Sequence, residues 1–184
     1  LDNLRQKPVI LVAPKDLNQI YLSFAFPVPG TGAPDEAGLE VLARLLGGDA
    51  TSYLYRKYKY DLRFVDEISA SVTTMQGAGI LFFSAVLKPE KLPEFWSAIC
   101  ADLAGLSAAN FTEEDIARAK LNIEDGLFRE KETLAGLASK EGYFYFLDGG
   151  PEGEERFLQG VRATSAADLQ KLINKYVQKD TLTA

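Results

Sequence analysis

Polar and apolar residues alternate in two stretches of the first half of the chain. In QIYLSFAFPVP (Gln19 to Pro29), Ile20, Leu22, Phe24 and Phe26 take every second position; in EISASVTT, Ile68, Ala70 and Val72 alternate with Ser69, Ser71 and Thr73. A period of two places each apolar set on one face of a strand. The run ILFFSAVL (Ile80 to Leu87) is apolar almost throughout, the pattern of a strand in the middle of a sheet. With the turn MQGAG before it, this run and EISASVTT form an antiparallel hairpin. VILVAP (Val9 to Pro14) reads as one more strand.

Elsewhere the apolar period is three to four. Leu39, Leu42, Leu45 and Leu46 line one side of a helix that Asp35 can cap, and Gly47 and Gly48 are expected to end it by adopting left-handed conformations. After Pro89 the pattern is helical to the end of the chain. Leu92, Phe95, Ile99, Leu103 and Leu106 mark one helix; Ile116, Ile123 and Leu127 mark another, capped by Thr112. LAGLASKEGYFYFLDGG ends in a double glycine, and Leu169, Leu172, Ile173 and Val177 mark a last helix capped by Thr164 or Ser165. Strands first and helices after predict an α+β fold. No Gly/Ser linker interrupts it, so residues 1–184 read as one domain, with ends that look cut from a longer chain.

The segment after Gly48 stands apart. Tyr53, Tyr55, Tyr58 and Tyr60 are interleaved with Arg56, Lys57, Lys59 and Arg63, in a chain whose formal charge is -6. Thr51 or Ser52 can cap a short helix here, with Leu54, Tyr55, Tyr58 and Leu62 near one face and the cations on the other. One reading is a solvated helix with snorkelling cations and tyrosines along its apolar edge. The other is a peptide-gripping surface, in which cations hold carbonyls or carboxylates and tyrosines stack on side chains. The substrate-binding candidates are Arg56, Lys57, Lys59, Tyr60 and Arg63. Asp66 and Glu67 follow closely enough to pair with Arg56, Lys59 or Arg63.

Composition narrows the chemistry. At 47% apolar and 25% charged residues, the 184-residue chain can bury one sizeable core. The acidic balance argues against nucleic acid, whose phosphates need a basic face. With no histidine, the chain has no Ser-His or Cys-His nucleophile pair and no zinc helix. The single Cys100, in an apolar string, reads as a buried small side chain. Glu113, Glu114 and Asp115 open a helix, where its dipole favours them, and Glu152, Glu154 and Glu155 follow a Gly-Gly-Pro loop; neither group reads as a catalytic pair. No run is long and apolar enough for a membrane span, so the expected setting is soluble, bacterial periplasm or cytoplasm.

The order of these signals, with the ETLAGLA and TSAADL segments, resembles the non-catalytic C-terminal domain of M16 (insulinase, pitrilysin, processing-peptidase) zinc metallopeptidases. The resemblance runs from about Gln19 to Val177. It implies a mixed, largely antiparallel sheet with helices packed mainly on one face, and a parent of two such halves closing on a peptide. Zinc would sit in a histidine-bearing half, in the same chain or in a partner subunit, and no cofactor is expected in this chain. The family's second half commonly supplies an arginine and a tyrosine about seven residues apart beside the zinc. Aligned through SYLYRKYKYDLRFVDEISAS, those positions fall near Lys59 and Asp66, a departure that Arg56 with Phe64, or Lys59 with Tyr60, would offset only in part.

The function expected from the resemblance is therefore the substrate-binding half of a zinc metallopeptidase, inactive alone, with a homodimer as a further option. The alternative is a structural or assembly subunit of the same fold, as the family's respiratory-complex core proteins illustrate. A third is an independent peptide-binding module.

Overall fold

The computed structural model of the chain describes residues 8–13, 17–147, 149–150 and 152–184. Three strands, β1 (Ile20–Val28), β2 (Glu67–Met75) and β3 (Ala78–Leu87), form an antiparallel sheet in the order β1-β3-β2. The apolar run is indeed the central strand, and Gly77, at φ 81, makes the tight turn of the hairpin. Register follows the alternation. Phe24 lies opposite Phe83, their rings stacked at 4.8 Å, and Trp96 meets Phe24 edge-on at 5.9 Å.

VILVAP behaves differently from its reading as a strand. Val9 makes a single parallel bridge to Thr183, and Thr183 in turn bridges Ala25 of β1 in the antiparallel sense. The mixed character of the sheet thus comes from the two ends of the chain. Ile10, Leu11 and Val12 stay exposed, because a run with no second neighbour has no face to bury; Pro14 lies outside the described residues.

One face of the sheet is covered. Phe24, Phe26, Val28, Ile68, Ala70, Leu81, Phe83, Ala85 and Leu87 are buried, whereas Tyr21, Ser23, Ser69, Ser71 and Thr73 on the reverse face are exposed. The cover starts with α1 (Glu36–Gly47), whose Leu39, Leu42, Leu45 and Leu46 are all buried. Each such side chain contributes about 1.5–3 kcal/mol by leaving water. Around it lie α2 (Leu92–Ala104), α3 (Glu113–Glu130), α4 (Leu134–Leu147), α5 (Gly153–Ala163) and α6 (Ala166–Tyr176). Thr112 caps α3 and Ser165 caps α6, each in a reciprocal box with the aspartate three residues on. Glu113, Glu114 and Asp115 are therefore a helix start.

Two local expectations are corrected. Asp35 sits at the N-cap of α1 without capping it, because its carboxylate accepts from Lys175 Nζ at 2.7 Å and Tyr176 Oη at 2.6 Å, tying α6 to the start of α1. Gly47 and Gly48 have no left-handed conformation: Gly47 is the last residue of α1 and Gly48 has φ -76. Their small size serves close approach instead, since a Cβ on Gly47 would stand 2.3 Å from the Ala70 nitrogen in β2. Residues 153–163, in the part of the chain that reads as helical but given no helix of their own there, form α5, which buries Leu158 and Val161.

Candidate functional site

The tyrosine-rich segment is helical, but wider than an α-helix. From Tyr55 to Asp61 it is a π-helix, closed by a bond from Leu62 N–H to the Lys57 carbonyl at 2.9 Å. Neither predicted cap acts as one. Asp49 organises the turn, accepting from Thr51 N–H at 2.7 Å and Thr51 Oγ1 at 2.6 Å, and Ser52 Oγ donates to the Asp49 carbonyl. The segment ends at Arg63, which has φ 52. A side-chain-bearing residue held in the left-handed region costs about 1–3 kcal/mol, and such strain collects at functional sites, as do short π-helical turns.

Inside the segment, Tyr58 is the anchor. It is fully buried, its ring meets Phe95 edge-on at 5.2 Å, and its hydroxyl donates to Asp102 Oδ2 at 2.8 Å. Burial pushes the phenol's pKa well above its usual range and the Asp102 hydrogen bond pushes it further, so Tyr58 stays neutral. Lys57 Nζ takes the other oxygen of Asp102 at 2.7 Å. Partial burial works against the Lys57 ammonium, but the Asp102 bond and charge outweigh it and hold its pKa above the ordinary value.

Lys59 is likewise engaged. It donates to Glu67 Oε1 at 2.6 Å and to Tyr55 Oη at 2.7 Å, which raise its pKa in that order of importance, and it lies 4.7 Å from the Tyr55 ring centroid. Of the two acids after the segment, then, Glu67 pairs with a cation, while Asp66 accepts from Gln19 Nε2 at 2.9 Å. The positions aligned with the family's arginine and tyrosine, Lys59 and Asp66, are both held by neighbours within this chain.

That leaves an outer rim. Arg56 is exposed, and its only ion pair among the described residues is a 3.8 Å contact to Asp115 Oδ1, an oxygen that Arg118 already takes at 2.5 Å. Tyr60 is exposed and packs edge-on against Tyr55 at 5.5 Å. Arg63 is exposed and makes no ion pair with any described residue. Arg56, Tyr60 and Arg63 are thus the exposed members of the candidate set. Guanidinium and phenol groups suit carbonyls, carboxylates and flat side chains.

Nothing here fits a metal. The chain has no histidine, and among the described residues no group of three or more His, Cys, Asp or Glu could hold an ion. Cys100 is half-buried.

Residues 2–123, which include the whole tyrosine-rich segment, match the family model described as the peptidase M16 inactive domain. The chain belongs to the M16 peptidase family. The fold agrees with that membership to its last helix. A protease from Helicobacter pylori superposes with a TM-score of 0.83 at 19% identity, over 97% of this chain and 44% of that one. The inactive peptidase domain of a candidate zinc protease from Bordetella parapertussis gives 0.78 at 17% identity, over 94% of each chain. A chain of complex III2 from Candida albicans gives 0.71 at 16% identity, over 96% of this chain and 43% of that one. At these identities the likeness is one of fold. No curated protein matches the sequence significantly. This M16 inactive domain thus spans less than half of the Helicobacter protein it resembles.

Proposed function

We propose that this chain is the substrate-binding, non-catalytic half of an M16 zinc metallopeptidase, closing over peptides held at a zinc site in a histidine-bearing half. The observation that carries the reading is the match of residues 2–123 to the inactive domain in a sequence without histidine. The catalytic half is encoded in the same longer chain or in a partner subunit. It supplies the zinc, which activates water for hydrolysis. This chain's residues contribute none of that chemistry; their part is to hold peptide and exclude solvent.

Within the candidate set, Arg56, Tyr60 and Arg63 meet the peptide, while Lys57 and Lys59 shape the surface from which they project. Changing Arg56, Tyr60 and Arg63 together to alanine in the assembled protein should weaken peptide binding by about tenfold or more, since arginine and tyrosine are enriched among the few interface residues whose truncation costs over about 1 kcal/mol. The readout is the dissociation constant of a fluorescent peptide, with circular dichroism as a check on folding. Unchanged affinity in a folded variant rejects the assignment.

A structural or assembly role in a larger complex is the second reading. It is favoured by the internal engagement of Lys57, Lys59 and Tyr58, and has a fold counterpart in the complex III2 chain. Zinc in the assembled protein separates the two.

A further inference from the structure

The outer edge of β1 is only half covered. Ala25 exchanges both backbone bonds with Thr183, at 2.8 and 3.0 Å. In an antiparallel ladder the residues that bond to one side recur at every second position, so Ser23 and Tyr21 also turn their N–H and C=O away from β3. Neither has a backbone partner there among the described residues. On their other side, residues 182–184 meet residues 9–11 in parallel. Val9 N–H donates to the Leu182 carbonyl at 3.1 Å, Ala184 N–H to the Val9 carbonyl at 2.8 Å, and Leu11 N–H to the Ala184 carbonyl at 2.8 Å. The next rungs of that ladder are the Leu11 carbonyl and the Ala13 N–H, which also lack backbone partners among the described residues.

A groove of about 830 Å³ runs on from residues 182–184, with Leu11, Val12 and Ala13 on one side and Tyr21 on the other. Where residues 182–184 already lie between them, the two rows stand two strand spacings apart, about 9.6 Å, which admits one line of backbone. Ile20, Leu22, Leu92 and Trp96 line the groove yet stay only half-buried, and Leu11 and Val12 are exposed. Two facing rows of unpaired backbone groups over an apolar floor fit an extended strand.

We propose that the residues joined to Ala184 in the parent chain complete the sheet here, running on as a strand between β1 and residues 11–13. The direction of residues 182–184 carries the chain into the groove, and the Ala184 carbonyl is already held by Leu11. The Ala25–Thr183 bridge sets the register. The first and third added residues lie opposite Ser23 and Tyr21; the second and fourth lie opposite Leu22 and Ile20, on the face of Trp96. The occupant is therefore about four residues long and apolar at every second place, continuing the alternation of buried Leu182 and exposed Thr183. It also closes an edge that would otherwise invite pairing with other chains. The inference needs only that the polypeptide continue past Ala184; it uses neither zinc nor the rim residues.

Amide hydrogen exchange, read residue by residue by NMR, tests it on the chain ending at Ala184, on the chain lengthened by Thr-Val-Thr-Val, and on the chain lengthened by Pro-Val-Pro-Val. The prolines fall at the two places that must bond to Ser23 and Tyr21, where they remove the donor. The Tyr21 and Ser23 amides exchange freely in the first and third chains and at least about tenfold more slowly in the second, the protection expected of a ladder bond. In the intact parent both amides are slow. Free exchange in the Thr-Val chain or in the parent, or equal slowing by the proline sequence, overturns the proposal. So does slowing in the unextended chain that grows with protein concentration, since a second copy then takes the edge. If the Thr-Val chain aggregates, the intact parent decides alone.

Discussion

Replacing Tyr58 with alanine should lower the unfolding free energy by about 3 to 5 kcal/mol, the range for deleting a buried aromatic ring. The ring is fully buried at the base of the π-helix, against Phe95 and Phe64. Tyr58→Phe keeps the ring and removes one hydrogen bond to Asp102, which still has Lys57, so it should cost only about 0.5–1.5 kcal/mol. Urea unfolding of the two variants measures the difference. If they lie within about 1 kcal/mol of each other, the ring is not the anchor described here.

Gly47→Ala is the second large effect, and its sign is the informative part. In a helix the change from glycine to alanine normally stabilises by about 1 kcal/mol. Here the new Cβ would meet backbone atoms of Ser69 and Ala70 at 2.7 and 2.3 Å, so α1 would have to back away from β2. Overpacking of this kind costs about 1–3 kcal/mol and outweighs the propensity gain. Gly142→Ala, inside α4 with nothing within 4 Å of the added methyl, should stabilise instead. Thermal unfolding of both variants is the check, and a stabilised Gly47→Ala would contradict the close approach of α1 to β2.

The sheet and the two capped helices were legible because each rests on local signals that tertiary contacts reinforce. Alternation in β1 and β2 matches a sheet buried on one face, and Thr112 and Ser165 sit three residues before the aspartates they bond. Other features depended on distant partners. Asp35 has the chemistry of a cap, yet Lys175 and Tyr176, far along the chain, compete for its carboxylate. The Gly47–Gly48 pair signalled a helix end, but the reason for the first glycine lies in β2. In α5, Phe157, Leu158 and Val161 have helical spacing, a usable signal for delimiting a helix of its own in the stretch that already reads as helical.

The site was half legible. The concentration of tyrosine and cations marked the right segment, but spacing alone cannot tell a cation facing solvent from one facing an acid on another element. Lys57 turns to Asp102 in α2 and Lys59 to Glu67 in β2, whereas Arg56, Tyr60 and Arg63 stay outward. The π-helical widening had no warning in the residue pattern, since it follows from burying Tyr58 while Leu62 closes on Lys57.

The central claim is that this chain works with a zinc-bearing half. The most direct measurement is the zinc content of the assembled protein, purified from its source through this chain, together with peptide hydrolysis before and after chelation. The account predicts about one zinc per copy of this chain, carried by a histidine-bearing segment outside residues 1–184, and cleavage that chelation abolishes. A metal-free assembly that cleaves no peptide would contradict it and leave the fold in a structural role.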